Sequence, residues 1–127
     1  MKIKMNDEQI VALKRALNYA SNSHKAEILS AIAEGNFNGA TRINCMIDKI
    51  SYMREMIFAP DGVNITAYQA ELLISELHYA IRVRSAEADE EEKEGNIEYA
   101  RFARQAVEGY MSLSNAICGG FPGVWKT

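Results

Sequence analysis

Residues 5–36 read MNDEQIVALKRALNYASNSHKAEILSAIAEGN, and residues 65–96 read ITAYQAELLISELHYAIRVRSAEADEEEKEGN. The two stretches align without a gap at an offset of 60 positions, and the alignment extends over residues 5–57 and 65–117. It contains 12 identities in 53 positions, where unrelated sequences of average composition share about 3 or 4. The tripeptide Glu-Gly-Asn stands at the same place in each half. The sequence therefore predicts one structural unit that is made twice.

Apolar residues recur at helical spacing, so each repeat is predicted to be a hairpin of helices. A first helix over residues 6–20 carries one apolar stripe: Ile10, Leu13, Leu17 and Ala20. A break is predicted at Ser21-Asn22-Ser23, because small polar side chains compete for backbone hydrogen bonds. A second helix, to about Ala33, would bury Ile28, Leu29 and Ile32. Gly35 would end it, and Asn36 or Asn38 would cap a third helix that runs to about Ile57.

The second half predicts two longer helices, over about 66–94 and 97–117, separated by Gly95. Residues 58–64 are predicted to be a linker, since Pro60-Asp61-Gly62 is a turn sequence. Residues 118–127 form a Gly-rich and aromatic tail after the last helix. The predicted fold is all-α, a single domain of four to five helices built from a duplicated helical hairpin.

Charge and composition limit the classes of partner. The net charge is −3 and the pI is about 5.4, which argues against nonspecific attraction to nucleic acid or anionic lipid. No run of 18 apolar residues is present, so no membrane span is expected, and the N-terminus lacks a signal-peptide pattern. Two isolated cysteines, Cys45 and Cys118, indicate a reduced, cytoplasmic chain in which both are buried as small apolar residues.

Basic and aromatic residues of the second hairpin predict a binding site for an anion or phosphate, because arginine offers a planar fork of donors and stacks on aromatic rings. The cluster consists of Arg82, Arg84, Arg101 and Arg104, together with Tyr79 and Tyr99. The alternative is that these arginines form salt bridges with the acidic run 86–94. That run is itself either a solvated helix end, a docking surface for a basic partner, or a partial mimic of nucleic acid.

The tail carries Phe121, Trp125 and Lys126 among glycines. Its aromatic residues either fold back onto the end of the bundle or insert into a partner subunit. A third alternative is a lid over a ligand site, to which Lys126 would add a cation.

No sequence pattern couples a nucleophile to a base, and the two histidines, His24 and His78, belong to no metal-binding motif. We therefore predict no enzymatic activity, no cofactor and no metal. Residues 25–49 have the lengths of a helix-turn-helix, with Thr41, Arg42, Asn44 and Lys49 exposed on the second helix. DNA binding through this segment is an alternative function.

The leading hypothesis is a non-enzymatic homo-oligomer, a dimer or larger, that regulates or inhibits a macromolecular partner. The first alternative is a protein that sequesters an anionic small molecule such as a nucleotide. In size and composition the chain resembles small acidic helical proteins of phages and mobile elements, which are often inhibitors or sequestering proteins. No residue or motif carries that resemblance.

Overall fold

A computed structural model describes residues 1–120 of the chain. Within this range there are four helices: α1 (Asp7–Ala33), α2 (Phe37–Met56), α3 (Ala67–Lys93) and α4 (Ile97–Gly120). The described residues also form three short strands, β1 (Lys2–Lys4), β2 (Phe58–Ala59) and β3 (Gly62–Asn64), which make an antiparallel sheet in the order β1-β3-β2. The predicted all-α bundle built from a duplicated hairpin is confirmed, with the small sheet as an addition.

The duplication is visible in the local structure of the helices. Both α1 and α3 are 27 residues long, and they begin 60 positions apart. Asn6 and Thr66 cap them in the same way, each accepting a hydrogen bond from the backbone N–H three residues later. Gly35 and Gly95 then turn the chain with φ of 76° and 87°, a conformation that disfavours residues with a Cβ.

A pseudo-twofold axis relates the two hairpins. In the sheet, Ile3 pairs with Val63. Val63 is the residue of the second repeat that corresponds to Ile3 at the offset of 60, so the axis passes between these two residues. Helices α1 and α3 run antiparallel where they cross, since Glu27 contacts Tyr79 and Tyr19 contacts Arg84. The crossing is buried by leucines of both repeats: Leu13, Leu17, Leu73 and Leu77, each at most 1% exposed.

The predicted break at residues 21–23 is wrong, because α1 continues through it. Ser21 is buried and Ser23 is half-buried, so packing against the bundle outweighs the weak local preference of serine for non-helical backbone. The predicted core face after the break is wrong at two of its three residues, since Ile28 alone is half-buried. Leu29 is 71% exposed and Ile32 is 48% exposed, whereas Ala31 is buried.

The predicted linker 58–64 is a β-hairpin, and the N-terminal segment is a third strand beside it. Each strand has only two or three residues, too few for a clear alternating pattern. Gly62 is required at the centre of this sheet. It has a φ of 154°, and a Cβ there would lie 2.0 Å from the carbonyl oxygen of Ile3.

The tail begins later than predicted. Residues 118–120 are the end of α4, and Gly120 lies against the side chain of Ile3. The candidate residues Phe121, Trp125 and Lys126 lie outside the described residues. Cys45 is exposed and Cys118 is half-buried, so the prediction that both are buried is wrong. Among residues 1–120, no helix combines the length and apolar character needed to cross a membrane.

Candidate ligand pockets

Arg84 of α3 lies between two aromatic rings contributed by α1 and α4. Its guanidinium carbon is 4.2 Å from the ring centroid of Tyr19 and 5.2 Å from that of Phe102. The side chain is only 12% exposed, and Nη1 donates to Oε1 of Glu87 at 2.9 Å. Within residues 1–120 the buried Nε has no hydrogen-bond partner. The guanidinium of Arg84 is therefore largely desolvated, and its Nε–H donor remains without a partner among these residues.

A pocket of about 790 Å³ opens beside this arginine, and we name it the Tyr19 pocket. Its volume lies within the range of about 300–1,000 Å³ that is typical of small-ligand sites. The lining is mostly apolar and aromatic, with a few polar groups at the edges. The residues that matter for its chemistry are Asp7, Glu8, Arg15, Tyr19, Asn22, Arg84, Phe102, Gln105 and Tyr110.

Small residues of α4 create the space for this pocket. Ala106 and Gly109 line it, and a Cβ at Gly109 would have no neighbouring atom within 4 Å. The equivalent residues of α2, Met46 and Lys49, are long. The small residues of α4 are visible in the sequence, but they do not show by themselves that an open pocket, rather than close packing, lies beside the helix.

Replacing Gly109 by alanine is expected to raise the free energy of unfolding by about 0.5–1 kcal/mol. Glycine inside a helix costs about this much relative to alanine, and the new Cβ meets open space. Urea denaturation followed by circular dichroism measures the change. Gly35→Ala is the matched control: its Cβ also meets no atom within 4 Å, but its positive φ should make that substitution destabilising. A loss of stability in Gly109→Ala would contradict the open geometry.

The residues of the predicted arginine cluster do not form one site in the structure. Arg84 and Tyr99 do come together, because the Tyr99 hydroxyl donates to Glu87 at 3.0 Å and accepts from Arg84 at 3.5 Å. Arg104 instead binds the acidic run, through Glu92 and through Asp89 at 3.2 Å. Arg101 lies exposed on α4. Arg82 belongs to a different pocket, where its guanidinium carbon is 5.5 Å from the ring centroid of Tyr79.

A second set of buried polar groups surrounds Tyr79. The sequence had indicated Tyr79 and Arg82 as candidate binding residues, but not His24, Glu27 or Glu76. The His24 and Tyr79 rings stack in parallel, with centroids 4.0 Å apart. His24 Nε2 is 2.8 Å from Oε2 of Glu76, and the Tyr79 hydroxyl donates to Glu27. The signal was present, because His24 lies four residues after Ala20 and so extends the apolar stripe of α1. The predicted break at residues 21–23 placed His24 in a separate helix, so the continuation of the stripe to His24 was not recognised.

The tyrosines of both pockets are hard to ionise. Burial raises the pKa of Tyr19 and of Tyr79, and the charges of Glu87 and Glu27 respectively raise each pKa further. Burial also raises the pKa of Tyr110. These phenols remain protonated at neutral pH, so they act as hydrogen-bond donors and stacking surfaces.

The raised tyrosine pKa values predict that the protein loses stability in alkaline solution. A phenol whose pKa is higher in the folded state stabilises that state fully below the unfolded pKa of about 10. This stabilisation falls as the pH rises above that value, because the unfolded chain then releases its proton first. A pH titration followed by phenolate absorbance should show tyrosines of the folded protein that ionise above the usual pKa of about 10. The Tyr79→Phe variant should have one fewer such tyrosine. A single ionisation step near pH 10 in the folded protein would contradict the prediction.

The segment considered as a helix-turn-helix does not stand alone in the fold. Residues 25–33 are the last part of the 27-residue helix α1. Thr41, Arg42 and Asn44 are exposed on α2, as predicted. Lys49 is also exposed, and it lines the pocket beside Tyr79.

Over residues 1–120, no three histidine, cysteine or acidic side chains come together in a group that would hold a metal ion. Comparison of the chain with protein-family models, with curated proteins and with solved structures finds no match.

Proposed function

We propose that the protein is a non-enzymatic binding protein that sequesters a planar anionic small molecule, such as a mononucleotide, in the Tyr19 pocket. The observation that carries this proposal is the position of Arg84, whose guanidinium lies against the rings of Tyr19 and Phe102 at the edge of a pocket of about 790 Å³. Aromatic faces stack on a base, while arginine donors bind a phosphate or a carbonyl edge.

The charge of the lining suits a ligand with few negative charges. Arg15 and Arg84 contribute two cations, while Asp7 and Glu8 at the start of α1 contribute two acidic groups. Glu87 already pairs with Arg84. A ligand with one phosphate can therefore be neutralised near the arginines, whereas a triphosphate would meet the acidic edge. Asn22 and Gln105 add amide groups that can bond to a base.

The test is a thermal-shift screen of the full chain with mononucleotides, with inorganic phosphate as the control for an anion alone. A ligand at about 100 times its Kd should add about 2.7 kcal/mol of stability. Arg84→Gln should remove this gain, and Arg101→Gln should keep it, because Arg101 lies exposed on α4 outside the pocket lining. The proposal fails if no mononucleotide stabilises the protein, or if Arg84→Gln binds as tightly as the native chain.

A second candidate function is favoured by apolar side chains at the end of the first hairpin. Leu29 and Phe37 are 71% and 66% exposed, and Ile32 is 48% exposed. Such a patch is typical of a protein interface. It supports a homo-oligomer, most simply a dimer, or the regulation of a macromolecular partner. Native mass spectrometry of the native chain and of Phe37→Glu tests the dimer; a native chain that is monomeric removes it.

A further inference from the structure

The structure contains a second pocket that is related to the first by the pseudo-twofold axis. This Tyr79 pocket has a volume of about 460 Å³ and lies between α1, α2 and α3. Most of its lining residues are equivalent, at the offset of 60, to residues that line the Tyr19 pocket. The equivalent pairs are His24 and Arg84, Met46 and Ala106, Lys49 and Gly109, Ile50 and Tyr110, Leu72 and Ala12, Ser75 and Arg15, Tyr79 and Tyr19, and Arg82 and Asn22.

The two pockets have diverged in size. Met46 and Lys49 occupy the positions that are Ala106 and Gly109 in the other repeat, and the longer side chains account for the smaller volume. The position equivalent to Phe102 is Arg42 in this repeat, so no phenylalanine from that position stands opposite His24. A ligand that needs two aromatic faces therefore fits the Tyr19 pocket and not this one.

The floor of the Tyr79 pocket is aliphatic. The side chains that make it are Ile43, Met46, Ile50, Met53 and Leu72. Ile50 and Met53 are almost fully buried, whereas Met46 is 43% exposed and lies toward the mouth. An apolar ligand body placed here would cover Met46 and extend the core.

Two carboxylates and two cationic side chains, Lys49 and Arg82, line this pocket. The two carboxylates of its lining are already engaged, Glu76 with His24 and Glu27 with the Tyr79 hydroxyl. Lys49 from α2 and Arg82 from α3 are both exposed, and neither forms a salt bridge within residues 1–120. A negative group at the mouth would therefore pair with two cations without breaking an existing salt bridge.

One buried polar atom also remains unused. His24 is 4% exposed, its Nε2 is bound to Glu76, and its Nδ1 has no hydrogen-bond partner among residues 1–120. Buried polar groups are normally satisfied; this nitrogen is itself buried, so the proposed ligand does not rely on it.

We propose that the Tyr79 pocket is a second, non-equivalent site, and that it binds an amphipathic monoanion with an aliphatic body, of the class of a medium-chain carboxylate. The aliphatic chain lies on the floor formed by Ile50 and Leu72, and the carboxylate lies at the mouth between Lys49 and Arg82. The site does not depend on what the Tyr19 pocket binds. One chain thus offers two pockets of common origin with different ligand chemistry.

Titration calorimetry with sodium decanoate, below its micelle concentration, tests the site in the full chain. We expect one saturable site, weakened by about tenfold or more in Arg82→Gln and in Lys49→Gln. Met46→Trp should abolish binding by filling the mouth, and it is expected to fold because Met46 is partly exposed. Arg54→Gln, which removes an exposed cation of α2 outside the pocket lining, is the matched control and should bind normally.

Gly109→Leu fills the Tyr19 pocket and separates the two sites. Decanoate binding that survives Gly109→Leu and is lost in Met46→Trp supports the proposal. Binding that is lost in Gly109→Leu, that is unchanged in Met46→Trp, or that never saturates overturns it. Mononucleotide binding should be unaffected by Met46→Trp, so a failure of this site and a failure of the Tyr19 pocket give different results.

Discussion

Replacing Glu76 by alanine is expected to lower the free energy of unfolding by about 3 kcal/mol, because it removes one partner of a buried pair. The side chains of His24 and Glu76 are 5% and 11% exposed, and their Nε2 and Oε2 atoms are 2.8 Å apart. Without Glu76, both ring nitrogens of His24 would be left without a partner among the described residues. Urea denaturation of the two proteins at neutral pH measures the loss.

Two further variants show whether the loss comes from the pair. Glu71→Ala removes an exposed glutamate of the same helix and should change stability by less than about 0.5 kcal/mol. The double variant His24→Leu with Glu76→Leu leaves no orphaned polar atom, and such apolar replacements of buried pairs are often neutral or stabilising. We expect it to be more stable than Glu76→Ala. If the double variant is no more stable than Glu76→Ala, the loss does not come from the orphaned histidine and the prediction is wrong.

The other large effect is expected at the crossing of α1 and α3. Leu77 is 1% exposed there, and Leu77→Ala should cost about 2–5 kcal/mol, because the surrounding helices cannot close around the cavity that the change creates. The melting temperature and the urea midpoint should both fall. Leu17→Ala, at the equivalent position of the first repeat, should cost a similar amount.

Leu29→Ala is the control for this prediction, because it makes the same chemical change at a side chain that is 71% exposed. It should alter stability by less than about 0.5 kcal/mol. A large loss in Leu29→Ala would mean that this residue is buried, either in the monomer or in an interface with another copy. A small loss in Leu77→Ala would contradict the position of the crossing.

The candidate sites were predictable only in part. Arg84 and Tyr99 are brought together as expected, since residues on either side of a short helical turn face each other across a hairpin. Tyr19 and Phe102 were not expected beside Arg84, because the contact with Tyr19 joins the two repeats and depends on how α1 crosses α3. Arg82 is two residues from Arg84, and on a helix that spacing points the two side chains in different directions. The pair therefore serves two different pockets.

The sequence by itself determined the duplicated helical hairpin, the caps at Asn6 and Thr66, and the turns at Gly35 and Gly95. Helical periodicity, the capping residues and the Glu-Gly-Asn turns are local features, and local geometry follows from them directly. The continuity of α1 through Ser21-Asn22-Ser23 was decided by the tertiary structure, because burial of that face outweighs the local preference of three residues. The sheet likewise forms only when Ile3 meets Val63. The two pockets exist only once α1 and α3 cross at the pseudo-twofold axis, because each pocket is lined by residues of both repeats.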